Sequence, residues 1–122
     1  MRILVIDDSS LVTGILQSAL EDSGYTVDVG SDGEEGLRKY GQNQYNLVII
    51  DIFLPKISGI RVISEIRETN QEIKIIAISG SARGPYDSKE ILEVGADRFI
   101  EKTSDIEKII DAVDEVMEEM GE

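Results

Sequence analysis

The segment VIIDIFLP, residues 48–55, decides the fold, because an aspartate interrupts an otherwise apolar run. Residues 48–50 show no alternation with polar positions, which is typical of a strand buried on both faces of a parallel sheet. Asp51 follows this run directly, and Pro55 stands four residues later. An aspartate in a turn is the ordinary interpretation, since Asp is common where strands end. The rest of the chain decides whether Asp51 also has a chemical role.

The composition excludes several classes of protein. The chain has 122 residues, which suits a single domain over residues 1–122, and a net charge of −13. It has no cysteine and no histidine, so disulfides, thiolate metal sites and the commonest general base are excluded. The negative charge disfavours direct binding to nucleic acid. No apolar run could cross a membrane and MRILVIDD lacks a signal-peptide cleavage region, so we expect a cytoplasmic protein with no membrane contact.

Hydrophobic periodicity predicts strands that alternate with helices. Five short strands are expected, at residues 2–6, 26–29, 46–50, 74–78 and 98–100. The capping-box motifs SDGE (31–34) and SDIE (104–107) predict the starts of the second and last helices. The helix around residues 88–95 has the weakest start, because Gly84 and Pro85 stand just before it. The alternation predicts an α/β fold, a (βα)5 doubly wound sheet of five parallel strands.

Polar residues stand at the ends of four predicted strands. They are Asp7 and Asp8, Asp51, Ser79 and Lys102. Ligands of parallel α/β sheets bind beyond the carboxyl ends of the strands, so we expect these five groups to meet at one rim. Taken singly, the DDSS run (7–10) would cap the first helix, Ser79 would cap the fourth, and Lys102 would be a solvated strand end. Taken together, three carboxylates call for a cation, and oxygen ligands without His or Cys favour Mg²⁺.

The strand-end motifs occur in a recognisable order. They are the acidic pair 7–8, DIFLPKISG (51–59), SG (79–80), GAD (95–97), and Phe99 three residues before Lys102. In this order they resemble the receiver domain of two-component response regulators, and the size is similar to a stand-alone, chemotaxis-type regulator. The resemblance runs from Arg2 to about Glu118. It implies a flavodoxin-like fold with strand order 2-1-3-4-5.

The resemblance implies that Asp51 is the phosphoacceptor, which receives a phosphoryl group from a histidine kinase or a phosphotransfer protein. A carboxylate needs no general base for this attack, because it is already ionised. Mg²⁺ would be the cofactor, bound by Asp8 directly, by Asp7 through water, by Asp51 and by the backbone carbonyl of Phe53. The proline and the glycine of the 51–59 segment would shape the loop and keep the phosphoacceptor aimed out of the sheet.

The resemblance also implies a switch. Lys102 would hold one phosphoryl oxygen, and the Ser79 hydroxyl would donate to another. Ser79 would move toward the phosphoryl group, and the ring of Phe99 would take the space that it leaves. The surface of the fourth helix, fifth strand and fifth helix would then present the signal to a downstream protein or output domain. A half-buried strand aromatic is the plain alternative for Phe99.

Two features depart from the usual family pattern, Thr103 and the segment RGPYDS (83–88), which is an unusual entry to the fourth helix. Thr103 stands where proline is common, and because a cis bond before a non-proline residue is unfavourable by about 2.5–4 kcal/mol, we expect a trans Lys102–Thr103 bond. Phe53 and Ser81 flank the path of the water that hydrolyses the phosphoryl group in receivers. Neither offers a good proton acceptor, so we expect slow dephosphorylation.

Two other functions are alternatives to that of a phosphoacceptor. Haloacid-dehalogenase-type phosphatases place a second Asp two residues after the nucleophile, where this chain has Phe53, and no cap domain is present. An unphosphorylated pseudo-receiver would usually lack one of the acids, the Ser or the Lys, and this chain keeps them all. We therefore expect a phosphorelay protein and not an enzyme. The cognate kinase, the output partner and any phosphorylation-dependent dimer stay open.

Overall fold

The computed structural model describes residues 1–80, 88–102 and 106–121, and within them a parallel sheet lies between two layers of helices. The strands are β1 (Arg2–Ile6), β2 (Thr26–Gly30), β3 (Leu47–Asp51), β4 (Lys74–Ser79) and β5 (Arg98–Glu101). The helices are α1 (Ser10–Asp22), α2 (Gly33–Gln42), α3 (Gly59–Thr69), α4 (Ser88–Val94) and α5 (Ile106–Gly121). The strand order β2-β1-β3-β4-β5, with every pair parallel, confirms the predicted fold.

The strand bounds agree with the prediction to within one residue at each end. The strands β2 to β5 each end one residue later than predicted, because the ladder continues there. Asp51 pairs with Ile78, and Ser79 pairs with Glu101. The phosphoacceptor candidate and the predicted switch serine are therefore the last residues of paired strands, which holds their backbone in place.

The two faces of the sheet bury separate hydrophobic clusters. One cluster joins alternate strand residues such as Ile49 to α1 and α5, and the other joins residues such as Ile50 to α3 and α4. Because strand side chains alternate between faces, Ser79 falls on the face of Ala77, the α3–α4 side. Phe99 pairs with Ala77 and packs against the same cluster, so Ser79 and Phe99 share one face of the sheet.

Side-chain caps begin the first three helices. Ser9 caps α1 and accepts a hydrogen bond from the Val12 amide, and Ser58 caps α3 in the same way. The predicted cap of α2 was wrong by one residue: Asp32, not Ser31, is the cap, and its Oδ1 accepts from the Glu35 amide at 2.7 Å. The motif DGEE also satisfies the capping pattern, and the Glu35 side chain accepts from the backbone of Ser31 instead.

Some sequence expectations lie outside the described residues. The SDIE motif begins at residue 104, and the peptide bond after Lys102, Ser81 and the approach to α4 at 83–87 are likewise not described. Among the helices that the structure does describe, none has the length and apolar character needed to span a membrane.

Candidate functional site

Three carboxylates meet at the carboxyl ends of the central strands. Asp7 and Asp8 follow β1, and Asp51 ends the neighbouring strand β3. One carboxylate oxygen from each residue lies within 4.8 Å of the others. Asp7 is 1% exposed and Asp51 is 4% exposed, whereas Asp8 is open to solvent. The structure therefore brings together the acids that the sequence placed at one rim, with two of them buried.

Lys102 connects the two buried acids. Its Nζ lies 2.9 Å from both carboxylate oxygens of Asp7 and 3.0 Å from Oδ2 of Asp51. The Lys102 amide donates to the Ser79 carbonyl at 2.7 Å, which fixes the end of β5 beside β4. Burial by itself lowers the pKa of the ammonium group, but the hydrogen bonds and negative charges of Asp7 and Asp51 outweigh it and raise that pKa. Lys102 is therefore a cation at neutral pH.

The donors around Asp7 do not fully neutralise its carboxylate. Its Oδ1 accepts from the Ser9 amide at 2.8 Å and from Lys102, while Oδ2 is buried in the ion pair without a well-aligned donor among the described residues. Burial raises the pKa of the Asp7 carboxyl, and the hydrogen bonds from Lys102 and Ser9 offset that rise only in part. Among the described residues this buried oxygen has only the ion pair with Lys102 and no aligned hydrogen bond, and two further carboxylates lie beside it, which suits a divalent cation that prefers oxygen ligands.

The backbone around Asp51 is held by a close contact with α3. Its Oδ1 accepts from the Phe53 amide at 3.0 Å, and the Gly59 amide donates to the Ile52 carbonyl at 2.9 Å. A Cβ at Gly59 would lie only 2.2 Å from the Asp51 carbonyl oxygen. The first residue of α3 must therefore be glycine for the helix to lie this close to the end of β3, in agreement with the prediction for the 51–59 loop.

The remaining predicted residues lie around this cluster. Ser79 is 3% exposed at the end of β4, and Phe53 is 41% exposed beyond β3. Phe99 is half-buried on β5. Sequence reasoning missed Ser9, whose amide donates to Asp7 while its side chain caps α1. The signal lies in the DDSS run, which predicts a helix cap but does not by itself predict the bond from the Ser9 amide to Asp7.

Comparison with known proteins gives one consistent result. Residues 3–114 match the family model of the response regulator receiver domain. The transcriptional regulatory protein DltR of Streptococcus agalactiae is 36% identical over 110 residues, which are 90% of this chain and 49% of that protein. The response regulator ArlR of Staphylococcus saprophyticus is 36% identical over 109 residues, which are 89% of this chain and 49% of that protein. This chain thus spans about half the length of the curated relatives that it matches.

Solved structures agree with the sequence relatives. The response regulator TrrA of Thermotoga maritima, in complex with Mg²⁺ and beryllium fluoride, has a TM-score of 0.83 and 35% identity over 94% of this chain and 97% of that one. The receiver domain of the Francisella response regulator 1452 has a TM-score of 0.88 and 25% identity over 98% of both chains. The names of these relatives are those of regulatory proteins.

Proposed function

We infer that this chain, which belongs to the response regulator receiver domain family, accepts a phosphoryl group on Asp51 and is switched by it. One observation carries the proposal. Oxygens of Asp7, Asp8 and Asp51 lie within 4.8 Å of one another, and the Lys102 ammonium is 3.0 Å from Asp51. A carboxylate next to a fixed cation, within an acidic cluster that suits a metal ion, supports nucleophilic attack on phosphorus.

Phosphoryl transfer to Asp51 requires one bond to form and one to break. A carboxylate oxygen attacks phosphorus in line with the leaving group and forms the P–O bond of an acyl phosphate. The P–N bond of a phosphohistidine donor breaks, and its electron pair stays on the imidazole nitrogen. The attacking carboxylate carries no proton, so no general base is needed. This explains how a chain without histidine can be an acceptor.

Lys102 supplies a fixed positive charge for this step. Its Nζ contacts the same Asp51 carboxylate that receives the phosphoryl group. Because Asp7 holds it from the other side, the ammonium group needs little reorganisation when negative charge moves onto the phosphoryl oxygens. Lys102 therefore acts by binding a phosphoryl oxygen and not by moving a proton.

Asp7, Asp8, Asp51 and the backbone carbonyl of Phe53 are the groups that would hold Mg²⁺. When bound, the ion would neutralise phosphoryl oxygens in the transition state. The buried Asp7 Oδ2, which has no aligned hydrogen-bond donor within residues 1–80, 88–102 and 106–121, supports a site that a cation completes. The TrrA complex with Mg²⁺ supports the choice of metal by analogy.

We propose Ser79 and Phe99 as the switch residues. They lie on the same face of the sheet, one at the end of β4 and the other on the neighbouring strand β5. A phosphoryl group on Asp51 would draw the Ser79 hydroxyl toward it and let the Phe99 ring turn inward. The surface of α4, β5 and α5 would change with these movements, because Phe99 is part of β5 and packs against the hydrophobic cluster that includes α4.

We propose partners of two kinds from the family to which the chain belongs. A histidine kinase or a phosphotransfer protein would donate the phosphoryl group, and a downstream protein or output domain would bind the α4–β5–α5 surface. We propose that the receiver domain takes up residues 1–122, which extends the matched range 3–114 at both ends. A dimer that forms on phosphorylation is one way in which that surface would be used.

Treatment with acetyl phosphate and Mg²⁺ tests the acceptor directly. Intact-mass spectrometry should show one added phosphoryl group in the wild type and in Asp22→Asn, a control at an exposed position of α1. The Asp51→Asn variant should show none. Modification of Asp51→Asn to the wild-type extent would overturn the assignment of the nucleophile.

The same experiment, together with an assay of phosphate release from a phosphate monoester, separates the two alternative functions. A pseudo-receiver would keep its fold and gain no phosphoryl group under any of these conditions. A Mg²⁺-dependent phosphatase would release inorganic phosphate over many turnovers from a phosphate monoester. We expect stoichiometric modification and no such turnover.

A further inference from the structure

A strained turn follows the proposed phosphoacceptor and contacts α2. Lys56 has a φ of +69°, and it is the one non-glycine residue with positive φ in the part of the chain that the structure describes. The Ile57 amide donates to the Pro55 carbonyl at 2.8 Å across it, which closes a three-residue turn. Lysine has no side-chain hydrogen bond that would favour the left-handed region, so contacts from elsewhere must stabilise this conformation.

The start of α2 supplies those contacts. The Gly33 amide lies 3.5 Å from the Pro55 carbonyl oxygen, and a Cβ on Gly33 would be 2.1 Å from the Ile57 carbonyl oxygen. The helix backbone therefore lies directly against the turn, with no room for a side chain between them. Asp32, the cap of α2, also contacts Lys56 Nζ at 3.3 Å. The close backbone packing is the stronger constraint, because the Lys56 side chain is 59% exposed and an exposed ion pair contributes little.

We propose that Gly33 and Lys56 are positioning residues for the metal site: the first turn of α2 holds the 55–57 turn and so fixes the loop that carries the Phe53 carbonyl. The other end of this loop is fixed by Gly59 against Asp51 and Ile52. Between the two anchors only Phe53 and Leu54 remain. The inference rests on the proposed function, because it assumes that the Phe53 carbonyl is a metal ligand.

Replacement of Gly33 by alanine tests the packing. The added methyl group must displace the Ile57 carbonyl, so the loop shifts and Mg²⁺ affinity should fall about 10-fold, the usual effect of losing a group that orients a metal ligand. Gly41→Ala is the matched control, since Gly41 is in the same helix and a Cβ there has nothing within 4 Å. Affinity is measured by calorimetric titration well below the unfolding temperature, with circular dichroism showing that each variant is folded.

Charge reversal at Lys56 keeps the proposal testable if Gly33→Ala does not fold. The Lys56→Glu variant places a carboxylate among Asp32, Glu34 and Glu35, which line the same surface groove, and should push the turn away from α2. The added negative charge alone would raise Mg²⁺ affinity, whereas displacement of the Phe53 carbonyl should lower it. Arg38→Glu makes the same charge change in this groove and should leave the affinity equal or slightly higher.

The outcomes separate this inference from the proposed function. If the wild type binds Mg²⁺ and Asp8→Ala weakens binding, the metal site stands. Wild-type affinity in folded Gly33→Ala, or affinity that rises in Lys56→Glu, would then overturn the positioning role alone. If the wild type binds no Mg²⁺, the proposed metal site is overturned and the positioning role with it.

Discussion

Acid–cation clusters lie at both ends of this sheet, and they differ in their balance of charge. Near the amino ends of β1 and β3, Asp28 accepts two hydrogen bonds from Arg2, at 3.0 and 2.7 Å, and one from the Tyr45 hydroxyl at 2.7 Å. In the described part of the chain, this single acid is hydrogen-bonded by one cation and one neutral donor. At the carboxyl ends, Lys102 is shared between two buried acids with a third beside them.

The pKa directions show what this difference means. Burial acts to raise the pKa of the Asp28 carboxyl, but its donors Tyr45 and Arg2 prevail and lower it. Burial also raises the pKa of Asp7, and there the donors do not prevail, partly because the charge of Asp51 adds to the rise. The amino-end cluster is thus a satisfied structural element. The carboxyl-end cluster has surplus negative charge, which a phosphoryl transfer site with a metal ion would use.

Removal of the Lys102 charge should have the largest effect. In Lys102→Met, phosphorylation by acetyl phosphate should slow by about 10²–10³-fold, since a fixed donor to the developing charge is lost. Mg²⁺ affinity should rise at the same time, because the ammonium group competes with the ion for Asp7 and Asp51. Stopped-flow phosphorylation and calorimetry measure the two effects.

The amino-end cluster provides the control for Lys102→Met. Arg2→Met also removes a cation from a partly buried acid, but it should change only the free energy of unfolding and leave Mg²⁺ affinity as in the wild type. A lower Mg²⁺ affinity in Lys102→Met would contradict the proposal that the ammonium group competes with Mg²⁺ for the two acids. A large Mg²⁺ effect in Arg2→Met would show that the two ends of the sheet do not differ as described.

The second largest effect should be a fall in the free energy of unfolding at alkaline pH, caused by Tyr45 of the amino-end cluster. Burial, together with the hydrogen bond to Asp28 and its charge, raises the pKa of Tyr45 to about 12 from 10.0. The unfolded chain loses this proton first, so the free energy of unfolding should fall by roughly 3 kcal/mol as the pH rises through that interval. Denaturant titrations at several pH values should show a smaller fall in Tyr45→Phe. Tyr40→Phe is the control, because the Tyr40 hydroxyl contacts the neutral hydroxyl of Thr69, and its fall in stability with pH should equal that of the wild type.

Much of the fold, and most of the residues that form the site, could be predicted from the sequence. The unbroken apolar runs of β1, β3 and β4 indicate strands buried on both faces, which is typical of a parallel sheet covered by helices on both sides. Once the strands are parallel, residues at their carboxyl ends must share a rim. Asp7, Asp51 and Lys102 could therefore be grouped although 95 residues separate the first from the last.

Other features could not be predicted, because they depend on distances between segments. The positive φ of Lys56 has no signal in the residue type, and the need for Gly33 arises only where α2 meets the Ile57 carbonyl. The bridge from Lys102 to both acids depends on where a long side chain comes to lie. The cap of α2 was misplaced because SDGE and DGEE both fit the capping pattern, and only the Asp32 hydrogen bond distinguishes them.

The third expected effect concerns the exposed acid of the carboxyl-end cluster. Asp8→Ala removes one negative charge from the proposed metal site, and because a divalent ion close to a solvated carboxylate gains about 2 kcal/mol, Mg²⁺ affinity should fall at least about 10-fold. Calorimetric titration measures this, with Asp22→Ala as an exposed control on α1. Unchanged affinity in Asp8→Ala would remove Asp8 from the ligand set.

The smallest expected effect is on the lifetime of the phosphoryl group. Phe53 lies at the rim with 41% of its surface exposed, two residues after Asp51. Its ring offers no hydrogen bond to an approaching water, so hydrolysis of the acyl phosphate should be slow. In Phe53→Asn the amide could orient that water, and phosphate loss should speed up by about 10-fold, below the 10²–10⁴-fold that a full general base contributes.

Substitution of Phe53 changes only its side chain, so the backbone carbonyl proposed as a metal ligand is retained. Leu92→Asn on α4 is a matched control, because Leu92 is also exposed, at 44%, and should leave the rate unchanged. Phosphate release is followed after removal of excess acetyl phosphate, at saturating Mg²⁺, so that a change in metal affinity does not alter the rate. If Phe53→Asn loses phosphate no faster than the wild type and Leu92→Asn, the ring merely covers the rim.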